Sequence, residues 1–232
     1  MNKKIIYKSI LLIFICTFFN CTNDFEEINT DPNSIVNPTP DLLLTTIIRS
    51  SQMNYFYQNW EYGNCIADHI AYQYVSVFQW DASMADKFCW GGFYANLRDV
   101  YKMEEISTKL GQNNYLAVAL IYKSWMFQVL TDIFGDIPYS EAIKAESDGI
   151  NKPVYDTQEA IYTGILSDLE NANNLIGTTG EVIKGDILYN NDIAKWKKFA
   201  NSLRIRCLMR ISGRKDPTAA MQTILGDPVK YP

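Results

Sequence analysis

The chain has 232 residues, of which 21 are Lys or Arg, 26 are Asp or Glu and one is His, so its formal net charge at pH 7 is −5. This acidic balance argues against nucleic-acid binding, which depends on a basic surface. A single His removes most catalytic triads and dyads, and the five Cys residues form no CxxC pair of the kind that zinc and thioredoxin-like sites use.

The first twenty residues have the organisation of a secretory signal peptide. Residues 1–9, "MNKKIIYKS", carry three Lys and no acid, and residues 10–19 form the apolar run "ILLIFICTFF". That run is shorter than the ~20 apolar residues of a membrane-spanning helix. The Cys that follows it, with polar residues behind, indicates a bacterial lipoprotein signal in which Cys21 becomes the acylated N-terminus. The alternative is a plain signal peptide, or a membrane anchor, with an incidental Cys.

Two further segments are predicted after the signal peptide at 1–20. Residues 21–38 are rich in Asn, Asp, Thr and Pro and lack hydrophobic periodicity, which is typical of a tether. Residues 39–232 have helical periodicity almost throughout and are predicted to form one helical domain. The predicted helices lie, in chain order, within 39–56, 59–74 with a break at Gly63, 94–111, 113–135, 155–177, 192–213 and 216–226.

Local signals define several ends of these helices. Thr39 is the expected N-cap of the first helix, with Pro40 at its first position. Asp156, three residues before Glu159, resembles a capping box. Gly111 and Gly135 are expected to end the helices that precede them.

The fold class predicted from this pattern is all-α, built from tetratricopeptide-like antiparallel helix pairs with irregular loops. The helix 113–135 is apolar nearly all round, which is typical of a helix inside a bundle or stack. Helix pairs of about 34 residues are the unit that tetratricopeptide-type stacking uses. No segment near the end resembles the polar cap that closes such a stack, so the chain is interpreted as the front part of a longer protein.

Four stretches together resemble the SusD/RagB-like outer-membrane lipoproteins of the starch-utilisation type. They are Cys21 followed by "DFEEINTDPN", then "LTDIFGDIPYSEA" at 130–142, "PVYDTQEAIYTGILSDLENA" at 153–172 and "WKKFANSLRIRCLMRIS" at 196–212. Each stretch is moderately specific alone, and their order and spacing make the resemblance strong over nearly the whole chain. Members of the family are considerably longer, so the resemblance covers their N-terminal portion.

The resemblance implies a function in nutrient capture at the cell surface. Family members sit on the outer membrane, lipid-anchored and facing the exterior, and cap a TonB-dependent, SusC-like transporter as lids that capture glycans or, in some branches, peptides. It therefore implies a non-enzymatic protein without a cofactor or metal, with a glycan or peptide ligand. The alternative from another class is a structural adaptor that binds the transporter without contacting ligand.

The segment 78–96, "FQWDASMADKFCWGGFYAN", is the densest aromatic stretch outside a clean helix. As an aromatic platform it would place Trp80, Asp81, Trp90 and Asn96 at the ligand, because sugar rings stack on aromatic faces while polar groups bond their hydroxyls. The competing interpretation is a helix junction whose aromatic residues belong to the core. Trp80 is the better ligand candidate because its neighbours in the sequence are polar.

Other constellations favour structural roles. Asp132, Asp136 and Glu141 cluster in one stretch, but a glycosidase needs two carboxylates at a set separation, and a helix end with a turn accounts for all three. Cys65 and His69 are four residues apart, yet no further metal ligands lie nearby. A run of cations between Lys195 and Lys215 is interpreted as a solvated face paired to neighbouring acids, with partner docking as the alternative.

The lipid anchor leads to the first testable prediction. Cys21→Ser should release the protein from membranes or leave its signal peptide uncleaved, because the acyl chains that anchor it are attached to that residue. Fractionation and mass spectrometry of the N-terminus measure both effects. Normal processing and membrane retention of the mutant, together with a wild type that carries no lipid, would contradict the lipoprotein interpretation.

Overall fold

The computed structural model describes residues 38–71 and 90–226. The described residues from Thr39 to Gly226 belong to one compact unit. Within the described ranges this unit is helical, and its β pairing is limited to an isolated antiparallel bridge between Ile137 and Asp156. The prediction of an all-α, tetratricopeptide-like fold is therefore confirmed.

The described ranges contain helices that pack in chain order. Those of eight residues or more are α1 Pro40–Gln58, α2 Gly91–Leu110, α3 Asn113–Phe134, α4 Gln158–Leu175, α5 Ile193–Arg210 and α6 Thr218–Leu225. A π-helical turn Asn59–Gly63 and the short Asn64–Ile66 continue α1, and Ala145–Asp148 forms a single turn before α4. Each long helix packs against the next one along the chain, and α5 also contacts α3.

The local signals for helix ends act largely as the sequence predicts. Thr39 occupies the N-cap position of α1 in an extended conformation, with Pro40 in the first turn. Gly111 takes a left-handed φ of 66° after α2, and only Gln112 separates it from α3. Because a connection this short reverses the chain, α2 and α3 form an antiparallel pair.

Two local predictions are wrong. Asp156 does not cap α4; the N-cap is Thr157, whose Oγ1 accepts a hydrogen bond from the amide of Ala160 at 3.3 Å. The predicted helix 59–74 does not break at Gly63 and instead ends at Ile66, so His69 lies outside it. Cys65 and His69 are therefore not paired on a helix, and within the described ranges no group of three His, Cys, Asp or Glu residues could hold a metal ion.

Helix α3 forms the centre of the core. Sixteen of its 22 residues are buried, on all sides of the helix. One face of α4 and one face of α5 are turned inward, and their buried residues include Ile161, Ile165, Leu169 and Ala172 on α4 and Trp196, Ala200, Leu203 and Cys207 on α5. By length and composition α3 could cross a membrane, but 72% of its most apolar 18-residue stretch is buried inside the protein, as in a core helix.

Lys123 is the one cation of α3, and it is paired on both sides. Its Nζ lies 3.1 Å from a carboxylate oxygen of Glu104 on α2 and 3.1 Å from one of Asp168 on α4. It also lies 5.6 Å from the centre of the Tyr101 ring. A buried charge is tolerated when it is paired and hydrogen-bonded, so these contacts explain how a lysine occupies the core.

The core leads to a prediction about two Trp residues. Trp125 on α3 is 5% exposed and makes edge contacts with the rings of Tyr55, Phe93 and Tyr122. Trp125→Ala should lower the free energy of unfolding by about 3–5 kcal/mol, because it leaves a cavity among these rings. Chemical denaturation measures the change.

Trp60→Ala is the matched control, because Trp60 is 47% exposed. The same truncation there should cost only about 0.5 kcal/mol, as for other surface substitutions. Equal losses in the two variants would contradict the central position of α3.

Candidate functional site

A pocket of about 410 Å³ lies between the start of α2 and the segment 135–156 that follows α3. Its lining is mostly aromatic and aliphatic: Trp90, Tyr94, Pro138, Ala142, Ile143, Lys152, Pro153 and Tyr155. We call it the aromatic pocket. Its size and apolar lining are typical of small-ligand sites, which combine such a lining with a few polar groups.

Trp90 is the organising side chain of the aromatic pocket. Its ring packs edge-on against Phe134 at the end of α3, with centroids 5.1 Å apart, and lies 5.0 Å from the ring of Tyr94 one turn along. Its plane lies within 24° of that of Tyr155, at a centroid distance of 6.2 Å. Trp90 is half-buried while Tyr155 is 63% exposed, so the pair presents aromatic surface to solvent from an anchored base.

Tyr94 ties helix α2 to the far wall of the pocket. Its hydroxyl donates a hydrogen bond of 2.7 Å to the carbonyl of Pro138. Burial, and then the neighbouring Tyr155, raise the pKa of Tyr94 above its ordinary value, so it remains a neutral donor at physiological pH. Its ring also packs edge-on against Phe127 of α3, which places the pocket wall directly on the core.

Asp156 clamps the segment that forms this wall. One of its carboxylate oxygens accepts hydrogen bonds from the amides of Tyr139 at 3.0 Å and Ser140 at 2.8 Å, and the other accepts from the Ser140 hydroxyl at 2.9 Å. Burial acts to raise the pKa of Asp156, but the hydrogen bonds from Ser140 and Tyr139 outweigh it and hold that pKa below its usual value. The carboxylate needed for this clamp is therefore not available to cap α4.

The structure distributes the predicted site residues unevenly. Trp90 lines the pocket, whereas Asn96 lies on α2 with 6% exposure and does not line it. Trp80 and Asp81 lie outside the described residues, so their role stays a prediction. Sequence reasoning missed Tyr94 and Tyr155. Tyr94 could have been found because it lies four residues, about one helical turn, after Trp90. Tyr155 is distant in the sequence, and only the folded structure brings it near these two residues.

The clustered acids of the stretch 130–142 act as structural hydrogen-bond acceptors. Asp132 accepts from the Tyr162 hydroxyl at 2.6 Å and from Nε of Arg210 at 3.2 Å. Asp136 accepts from the amide of Gln158, and Glu141 accepts from the amide of Val154, each at 2.9 Å. Because these carboxylates accept hydrogen bonds from the protein itself, they support the structural interpretation of the cluster.

The comparisons with known proteins agree with this architecture. The family model described as "Starch-binding associating with outer membrane", SusD-like, matches residues 25–232. The chain therefore belongs to the SusD-like family. The comparison with curated proteins gave no significant match.

Several solved structures resemble the chain. A putative outer-membrane protein from Bacteroides vulgatus, described as probably involved in nutrient binding, is 30% identical over 82% of this chain, with a TM-score of 0.58. A SusD homologue from Bacteroides fragilis is 30% identical over 81%, with a TM-score of 0.61. A chitin-binding protein is 33% identical over 81%, with a TM-score of 0.65. The chain spans 41%, 40% and 41% of these three proteins respectively.

The clamp leads to a prediction about pH. Because the pKa of Asp156 is lower in the folded than in the unfolded chain, its carboxylate stabilises the fold above about pH 4, and this contribution is lost as the pH falls through the lowered pKa. Asp156→Asn should therefore cost about 1–2 kcal/mol near pH 7, and the difference from wild type should shrink in acid.

Urea denaturation of wild type and Asp156→Asn, from about pH 7 down to below about pH 4, tests the clamp. Asp148→Asn is the control, because that exposed carboxylate accepts no side-chain hydrogen bond in the described part of the chain. A wild-type to Asp156→Asn difference that does not change with pH would refute the clamp.

Proposed function

We propose that the protein is a non-enzymatic, lipid-anchored capture protein of the outer membrane that binds glycan oligosaccharides at the aromatic pocket. The observation that carries the proposal is the pairing of an anchored Trp90 with an exposed, nearly parallel Tyr155. Pyranose rings present C–H faces that pack on such aromatic surface, and the pocket adds few charges. Peptides are the alternative ligand class.

The relatives support a carbohydrate ligand without fixing which one. The family model carries the description starch-binding, and one similar solved structure is described as a chitin-binding protein. Both polymers are neutral glucose-derived or glucosamine-derived chains, whose rings offer flat apolar faces. The aromatic lining of the pocket fits either ligand.

Binding without catalysis is supported by the state of the acids. Glycoside hydrolysis needs two carboxyl groups flanking the bond, and in most such enzymes one of them acts as an acid with a raised pKa. Among the described residues, the lining of the aromatic pocket includes no Asp or Glu, and the nearby Glu141 and Asp156 are hydrogen-bonded to backbone amides. The pocket therefore offers surface and shape for binding.

The remaining parts of the proposal concern location and partners. Acylation at Cys21 would tether the body to the outer membrane, facing the exterior, beside a TonB-dependent, SusC-like transporter that receives the ligand. Trp80 and Asp81 are proposed to extend the aromatic surface beyond Trp90. Asn96 is proposed only as a support behind it, because its side chain is buried.

The exposed member of the aromatic pair gives the clearest test. Tyr155→Ala should weaken binding of the cognate oligosaccharide about tenfold, equal to ~1.4 kcal/mol, because half of the stacking surface is lost. Its thermal melting should stay close to that of wild type, since the residue is exposed. Calorimetric titration with malto-oligosaccharides and chito-oligosaccharides provides the measurement.

Ile187→Ala is the control, because Ile187 is 61% exposed but lies in the connection between α4 and α5. It should bind as wild type does. Equal affinity of Tyr155→Ala and wild type for the oligosaccharide that binds would remove the pocket from the proposal. Tighter binding of peptides than of either oligosaccharide series would show that the ligands are peptides and not glycans.

A further inference from the structure

The outer side of α5 carries a row of cations that continues past its end. Lys198, Arg206, Arg210 and Arg214 recur at multiples of four residues, and Lys215 follows directly. Residues four apart form a ridge along a helix, and the stretch from Lys198 to Arg210 extends about 18 Å. We call Lys198, Arg206, Arg210, Arg214 and Lys215 the basic ridge.

Most of the basic ridge has no acidic partner. Arg210 contacts Asp132, and off the ridge Lys195 contacts Asp192 and Arg204 contacts Glu170. The other four ridge cations, Lys198, Arg206, Arg214 and Lys215, are exposed and make no ion pair with a side chain that the structure describes. Four unpaired cations on α5 and just beyond its end, in a chain with a net charge of −5, form a local positive field that an anionic partner would neutralise.

The basic ridge leads into a groove of about 870 Å³ where α3 ends, α4 begins and α5 ends. The groove is lined by Asp132, Asp136, Thr157, Gln158, Glu159, Tyr162, Thr163, Leu166, Arg210, Ile211, Arg214 and Lys215. Its charges are mixed, with Asp136 and Glu159 facing the same space as Arg214 and Lys215. Leu166 and Ile211 add apolar surface between the charges.

We propose that the basic ridge and this groove form a docking surface for an acidic polypeptide segment of a partner protein. A uniformly anionic polymer or lipid surface would meet Asp136 and Glu159 in the groove, which repel it. A neutral glycan would make no use of the cations. A polypeptide can place acids along the ridge while an apolar or basic side chain enters the groove, so it matches the whole surface.

The experiment compares two charge reversals that change the net charge equally. Lys198→Glu/Arg206→Glu reverses two unpaired cations of the ridge, and Arg49→Glu/Lys184→Glu reverses two exposed cations on α1 and on the connection between α4 and α5. The probe is a fluorescent synthetic peptide of Glu, Asp and Leu with one Lys, and its counterpart in which Gln and Asn replace the acids. Fluorescence anisotropy is measured at low and at physiological ionic strength.

The acidic peptide should bind wild type at low salt, weaken as salt screens the charges, and bind Lys198→Glu/Arg206→Glu about tenfold more weakly. The Arg49→Glu/Lys184→Glu protein should bind it as wild type does. If circular dichroism shows that the ridge variant is unfolded, Lys198→Gln/Arg206→Gln is compared with Arg49→Gln/Lys184→Gln, which again changes the net charge equally.

Three results would overturn the proposal. One is equal weakening by the two charge reversals, which would show a general effect of net charge. Another is the absence of any salt-sensitive binding of the acidic peptide to wild type. The third is preferential binding of oligogalacturonate or of vesicles containing phosphatidylglycerol, which would assign the ridge to an anionic glycan or a lipid surface. None of these results bears on glycan binding at the aromatic pocket, which Tyr155→Ala tests separately.

Discussion

The burial of α3 is the constraint on which the rest of the structure depends. A helix that is apolar on all sides cannot bury its whole surface against one neighbour, so α2 and α4 must cover opposite flanks. Lys123 makes this arrangement specific, because its ammonium group pairs with Glu104 on one flank and Asp168 on the other. Sliding either helix by a turn would take away one of the two carboxylates that neutralise this buried ammonium group, which costs more than a lost surface ion pair.

The aromatic pocket is a consequence of how α3 ends. Gly135 ends the helix with a φ of 76°, and Pro138 prevents it from resuming, so the chain turns across the end of the stack. Phe134 supports Trp90 there, Tyr94 bonds the carbonyl of Pro138, and Asp156 fixes the amides of Tyr139 and Ser140. The pocket therefore inherits its rigidity from the core helix, and a ligand would find its aromatic surface already in place.

Sequence reasoning predicts what depends on local periodicity and misses what depends on competition between distant groups. The helix predicted within 155–177 forms, and Ile161, Ile165 and Leu169 are buried because their spacing makes one face of α4 apolar. The sequence predicts Asp156 as the cap of α4, but its carboxylate instead accepts hydrogen bonds from the amides of Tyr139 and Ser140, about seventeen residues earlier in the chain. Tyr155 is also missed by sequence reasoning, because no residue next to it in the sequence indicates that it packs near Trp90. Trp80 and Asp81, outside the described residues, remain predictions.

The positions of paired and unpaired charges separate the roles of the surface. Asp132, Asp136 and Glu141, which could suggest hydrolysis in a glycan-binding family, all hold polypeptide groups in place. Freeing one of them for catalysis would leave a backbone amide or a tyrosine hydroxyl without its acceptor, so catalytic use would weaken the scaffold that shapes the pocket. Most cations of the basic ridge make no such contact with the rest of the fold, and their loss should leave the fold intact. Under the two proposals above, the unpaired charge of the ridge serves a protein partner, whereas the aromatic pocket serves a neutral ligand.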